Sequence, residues 1–178
     1  MPTTGALSFR DDYTQLMGRF QSQWAALEVI TDYAIGKFLK VTEGQAHLIT
    51  SGLMFGRKGC LLADLVAKSD DPQKSAILGA FNKLRGMSKR DMFAHSYLRS
   101  TKDTIIFLDR SVSGEFSAKE HTFTLDEFRA YVMDFETAIG AFRASLGATR
   151  EQLDAFAKAA LSLSRNSKTS SGKPKESA

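Results

Sequence analysis

The chain is poor in the residues that build cross-links and metal sites. Cys60 is its one cysteine, and three histidines occur in 178 residues. No internal disulfide can form, and a thiolate zinc site within one chain is excluded. His47 and His121 have no companion at metal-ligand spacing, so both read as structural residues and no metal or cofactor is expected. Cys60 lies in the stretch CLLADLVA and reads as a small core residue. Also missing are a G-x-G-x-x-G run, a G-x-x-x-x-G-K-S/T run and a G-x-S-x-G elbow, which leaves dinucleotide, P-loop and serine-hydrolase readings without support. No apolar run approaches the roughly 20 residues of a membrane helix, and the opening MPTTGALSFRDD lacks a basic segment followed by an apolar one. The expectation is a soluble, cytoplasmic protein with no membrane partner.

What is present is ordinary globular composition, 43% apolar and 25% charged, in a length that can bury a core without covalent help. The net charge of +4 favours polyanions, although part of the excess sits in the closing RNSKTSSGKPKESA. After Arg165 the residues are small, polar and basic, and cannot bury enough apolar surface to offset the entropy of ordering. The expected organisation is one helical domain over 1–164 and a disordered basic tail over 165–178.

Periodicity supplies the elements. Leu16, Phe20, Trp24, Leu27, Ile30, Ala34 and Phe38 recur every three or four positions and predict a long helix over about 11–40. A second helix is expected over about 43–68, with Gly52, Gly56 and Gly59 weakening it or permitting close packing. Asp70-Asp71-Pro72 places a side-chain acceptor before a proline, a helix start. The stripe of that third helix is Ala76, Ile77, Ala80, Phe81 and Leu84, with an end near Gly86. Ser88 can cap a fourth helix through about Leu98. The period then changes, and TIIFLDR and GEFSAKEHTFT, separated by Ser113-Gly114, predict a β-hairpin over about 104–123. Thr124 with Glu127 forms a capping box for a fifth helix through about Leu146, and Thr149 with Gln152 starts a sixth through about Ser164. The fold class is therefore mainly α, an antiparallel helical bundle with a hairpin after the fourth helix.

The fourth helix carries the chemistry. Within KRDMFAHSY, Asp91 and His95 are four apart and face each other on an ideal helix, so the carboxylate can hydrogen-bond the imidazole and favour its protonated form. His95 is then an acid or base tuned near neutral pH. Arg90 and Tyr97 are seven apart and share another face, whereas Arg90 and His95 point about 140° apart. One helix alone does not close an Arg–His site. Lys83, Arg85, Lys89, Arg99 and Lys102 surround this point with few acids besides Asp91 and Asp103, a field that holds a phosphate backbone with little sequence preference.

The segment resembles the Arg-x4-His signature of the HEPN superfamily: Arg90, the polar Asp91 directly after it, and His95. With Tyr97 it resembles the Arg-x4-His-x-Tyr form of HepT-type toxins in MNT/HEPN toxin-antitoxin pairs. The resemblance implies a helical bundle over roughly 10–147 and a homodimer whose two motif helices bring both Arg90 and both His95 into one cleft. It implies RNA as substrate, cleaved without metal by attack of the 2′-OH, with Arg90 stabilising phosphoryl charge. It also implies a toxin or defence role, and Tyr97 as a site where an antitoxin attaches AMP. Two other readings of the same residues stay open. One is a non-catalytic helical module that binds RNA, a nucleotide or a protein. The other is a scaffold in which His95 is buried and hydrogen-bonded inside one subunit.

Overall fold

The computed structural model describes the backbone of residues 4–87, 89, 92–93, 96–101, 103–113 and 115–169. Among the described residues the molecule is mainly helical, with one small antiparallel sheet. Four helices come first: α1 (Thr4–Leu39), α2 (Glu43–Thr50), α3 (Phe55–Ala67) and α4 (Lys74–Met87). Three strands follow, β1 (Tyr97–Ser100), β2 (Thr104–Ser113) and β3 (Glu115–Thr124), and then α5 (Leu125–Ser145) and α6 (Arg150–Thr169). Among the described residues no helix is long and apolar enough to cross a membrane.

Local chemistry explains most boundaries. The Asp71 carboxylate accepts from the Gln73 N–H at 2.8 Å ahead of α4. Thr124 and Glu127 exchange the two bonds of the expected capping box, at 2.7 and 3.2 Å, and Thr149 and Gln152 do the same at 2.9 and 3.2 Å. Each box satisfies N–H groups that the first helical turn leaves without partners. Helix α5 ends on Gly147 at φ +62, where Ala148 N–H reaches the Arg143 carbonyl and Gly147 N–H the Ala144 carbonyl. This paired closure needs a left-handed residue, which glycine supplies without strain.

The second predicted helix is two helices. Thr42 and Gln45 form an unforeseen capping box for α2, and the chain then breaks between Thr50 and Phe55. Ser51 and Gly52 are weak helix formers, and the Ser51 hydroxyl turns back to the Leu48 carbonyl. The predicted fourth helix is also too long. Met92 and Phe93 are helical, but Tyr97 and Leu98 already belong to β1, where Tyr97 pairs with Leu108 and Leu98 with Phe107. Pairing with β2 outweighs the local helical spacing, so Tyr97 lies on a strand and not on the helix face expected for it. Helix α4 runs one residue past Gly86, and Ala76 of its predicted stripe is exposed. Cys60, expected in the core, is exposed, because α3 buries Lys58, Gly59, Leu62 and Val66 on its other face.

The hairpin falls where predicted and gains a third strand, in the order β1-β2-β3. Thr104 pairs with Thr124 and Ser113 with Glu115; Gly114 lies outside the described residues. Alternation along β2 sends Ile105 and Phe107 into the core, at 0% and 1% exposure, while Ile106 and Leu108 lie on the outer face.

Contacts divide the chain into two compact units. The first comprises the described residues up to Ala26 together with Ala80–Ala141, so it contains the sheet. Its core is aromatic: Phe20, Phe81, Phe107, Phe128 and Phe135 are buried, each ring contributing roughly 1.5–3 kcal/mol by leaving water. The second comprises Leu27–Gly79 and the residues from Phe142 onward. There, a Cβ at Gly36 of α1 would come 2.7 Å from the Ala46 Cβ of α2, a close approach that only glycine permits. The buried hydroxyls of Thr31 and Thr50 bond carbonyls four residues back. His47 Nε2 lies 2.8 Å from the Phe156 carbonyl oxygen of α6, the structural role expected of it. The Lys58 ammonium sits 2.8 Å from Asp32 Oδ1 and 2.9 Å from Oδ2, a nearly buried pair.

Candidate functional site

The motif segment is tied to the first unit by an aromatic anchor. Phe93, 6% exposed, meets Phe20 edge-on at 4.8 Å, Phe107 at 4.9 Å, Phe128 at 5.3 Å and Tyr131 at 5.4 Å between ring centroids. Edge-to-face geometry sets the positive rim of one ring against the negative face of the next. Met92 is equally buried. Helical bonds from Phe93 N–H to the Lys89 carbonyl at 3.0 Å and from Ser96 N–H to the Met92 carbonyl at 3.1 Å continue the turn.

Tyr131 of α5 holds the entrance to this segment. Its hydroxyl donates to the Met87 carbonyl and accepts from the Lys89 backbone. Burial pushes the Tyr131 hydroxyl up to about 12, against the lowering effect of the Lys89 bond. The Lys89 ammonium lies 5.6 Å from the Phe123 ring centroid and 5.7 Å from that of Tyr131, cation–π contacts that keep its side chain at the surface beside the motif.

Arg90, Asp91, His95 and Lys102 lie outside the described residues. The other expected residues are placed. Lys83 and Arg85 are exposed on α4, but two positions apart on a helix they point to different sides. Tyr97 is 64% exposed. Arg99 follows two positions later on the same face of β1, 4.0 Å from Glu120 of β3. That carboxylate escaped the sequence reading of the local field, because Glu120 joins Arg99 through strand register and not through sequence proximity. Arg110 and Phe116 were also missed, although period-two alternation in both hairpin strands was visible and would have set them on the outer face.

Between His95 and Tyr97, the Ser96 hydroxyl oxygen is buried and has no hydrogen-bond partner among the described residues. A polar atom left so costs roughly 1–3 kcal/mol. A small pocket of about 80 Å³ lies on the outer sheet face, lined by Tyr97, Arg99, Ile106, Leu108 and Glu120. The second unit holds a larger one, about 550 Å³, with Lys37, Lys40, Lys68, Asp70 and Asp71 among its walls, but the Lys37 ammonium is engaged by the Leu146 carbonyl at 2.9 Å. Among the described residues no group of three or more His, Cys, Asp or Glu could hold a metal ion. The chain matches no protein-family model, no curated protein and no solved structure.

Proposed function

We propose that the chain is a metal-independent endoribonuclease of the HEPN type, acting in the cytoplasm as a homodimer. The observation that carries the reading is the setting of the described residues in and beside the Arg90-x4-His95-x-Tyr97 sequence. Phe93 is packed into the core, while Lys89, just before Arg90 in the chain, and Tyr97, two positions after His95, are exposed. A segment that needs surface access for two polar groups and rigid placement for both fits this arrangement. The dimer, the toxin or defence role and a restraining antitoxin belong to the same reading and rest on the motif's resemblance.

In this mechanism one His95 imidazole takes the proton from an RNA 2′-OH. The freed oxygen attacks the neighbouring phosphorus, and the 5′-oxygen of the next nucleotide leaves with a proton from the protonated His95 of the second subunit. Arg90 guanidinium donors neutralise charge gathering on the non-bridging oxygens. The products are a 2′,3′-cyclic phosphate and a 5′-hydroxyl.

Incubation of the purified full chain with RNA in excess chelator tests this, with the product ends read by mass spectrometry. Cyclic phosphate ends are the expected result. RNA that stays intact while it is bound would instead assign the chain to the non-catalytic RNA-binding class.

A further inference from the structure

We infer that the outer face of the three-stranded sheet is a stacking platform for single-stranded RNA, with Tyr97 and Phe116 taking the bases and Arg99 and Arg110 the phosphates. Strand register puts these side chains on one surface. Tyr97 is level with Leu108, Arg99 with Ile106, Arg110 with Ala118, and Phe116 lies farther along β3 on the same face as Ala118 and Glu120. The two aromatic rings are among the most exposed of the described residues, Tyr97 at 64% and Phe116 at 69%. Exposed aromatic rings are what base stacking uses.

Four rungs of strand rise and two strand spacings separate the rings, roughly 16 Å from about 3.3 Å per residue and about 4.8 Å per strand. That distance lets separate bases occupy the two rings. Ile106 and Leu108, partly exposed, floor the surface between them.

Charge selects the occupant. The described outer-face side chains carry two arginines against one carboxylate, Glu120. Arg99 and Glu120 are 4.0 Å apart with about 60% of each side chain exposed, a contact too loose and too wet to hold the guanidinium. Its donors remain open to a phosphate. Tyr97 follows His95 by two positions in the chain, so the platform begins next to the motif in sequence. The preference for RNA over DNA rests on the ribonuclease reading; the stacking surface does not.

The probe is a short fluorescent oligouridine with 2′-O-methyl sugars, which cannot undergo 2′-OH attack, so binding is read apart from cleavage by fluorescence anisotropy. The wild-type chain binds it. Tyr97→Ala and Phe116→Ala each weaken binding on the order of 5- to 100-fold, while Tyr97→Phe keeps the affinity because the ring is retained. Replacing Arg99 and Arg110 together by alanine lowers the salt dependence by about 1.4 in the logarithmic slope. Glu120→Gln tightens binding, an effect that a merely structural role for the face does not produce. Circular dichroism verifies that these surface variants fold.

No binding by the wild type, or equal binding by Tyr97→Ala, overturns the inference. So does a result in which Tyr97→Ala changes self-association and leaves RNA affinity alone, since the face is then a protein interface. If ordinary RNA is cut but Tyr97→Ala binds unchanged, the platform falls and the ribonuclease reading stands. If nothing is cut but the variants lose binding, the platform stands alone.

Discussion

Truncating Phe93 to alanine tests the anchoring of the motif to the core. The ring is 6% exposed and has four aromatic neighbours within 5.4 Å. Losing a buried phenylalanine costs about 3–5 kcal/mol, the transfer of the ring plus the cavity left behind. The ring pairs supply part of that cost, at roughly 0.5–1.5 kcal/mol each beyond area. In a chain of this length about 1 kcal/mol moves the melting temperature by roughly 2–4 °C, so the midpoint falls by roughly 6–20 °C. Scanning calorimetry and urea unfolding measure it. If the proposed ribonuclease reading holds, RNA cleavage measured well below the new midpoint, where the protein is still folded, falls as well, because Phe93 lies between Arg90 and His95 in the chain. A stability loss under about 1 kcal/mol would refute the reasoning, since Phe93 would then not anchor the segment.

Other consequences follow from buried polar groups. Lys58→Ala leaves the Asp32 carboxylate nearly buried without its cation and costs about 3–5 kcal/mol, whereas Lys58→Met combined with Asp32→Leu costs little; a urea double-mutant cycle separates these outcomes. Burial raises both Tyr13 and Tyr131 to about 12. Between pH 10 and 12 the unfolded state therefore gives up protons that the folded state keeps, and stability is full below pH 10 and falls as pH rises toward 12. Tyr131→Phe makes that fall shallower, as thermal melts across the alkaline range would report.

The fold was legible where local chemistry decides it. The stripe from Leu16 to Ala34, the Thr124–Glu127 and Thr149–Gln152 boxes and the hairpin after Thr104 each rest on neighbours in sequence, and the structure has all of them. What was not legible depends on partners far along the chain. Tyr97 and Leu98 continue a helical spacing, yet β2 takes them as a strand. Cys60 sits in an apolar run, but its helix turns another face inward. Glu120 joins Arg99 only through the register of three strands. Of the site, Tyr97 was read as the last residue of the motif and Lys89 as part of its basic surround, and both are exposed, but the cation–π seat of Lys89 on Phe123 and Tyr131 could not be foreseen from spacing. The outer-face pair Arg110 and Phe116 is legible from alternation along the hairpin, but only strand register brings it onto one face with Tyr97 and Arg99.

The ribonuclease reading stands or falls with one imidazole. The most direct measurement is the single-turnover rate of RNA cleavage by wild-type chain and by His95→Ala, in chelator, with both proteins shown to be folded and to bind the 2′-O-methyl probe alike. The account predicts that the variant loses at least about 10²-fold, the usual contribution of a positioned acid or base, while its affinity for the probe is unchanged. Equal rates for the two proteins, or no cleavage by the wild type, would contradict it.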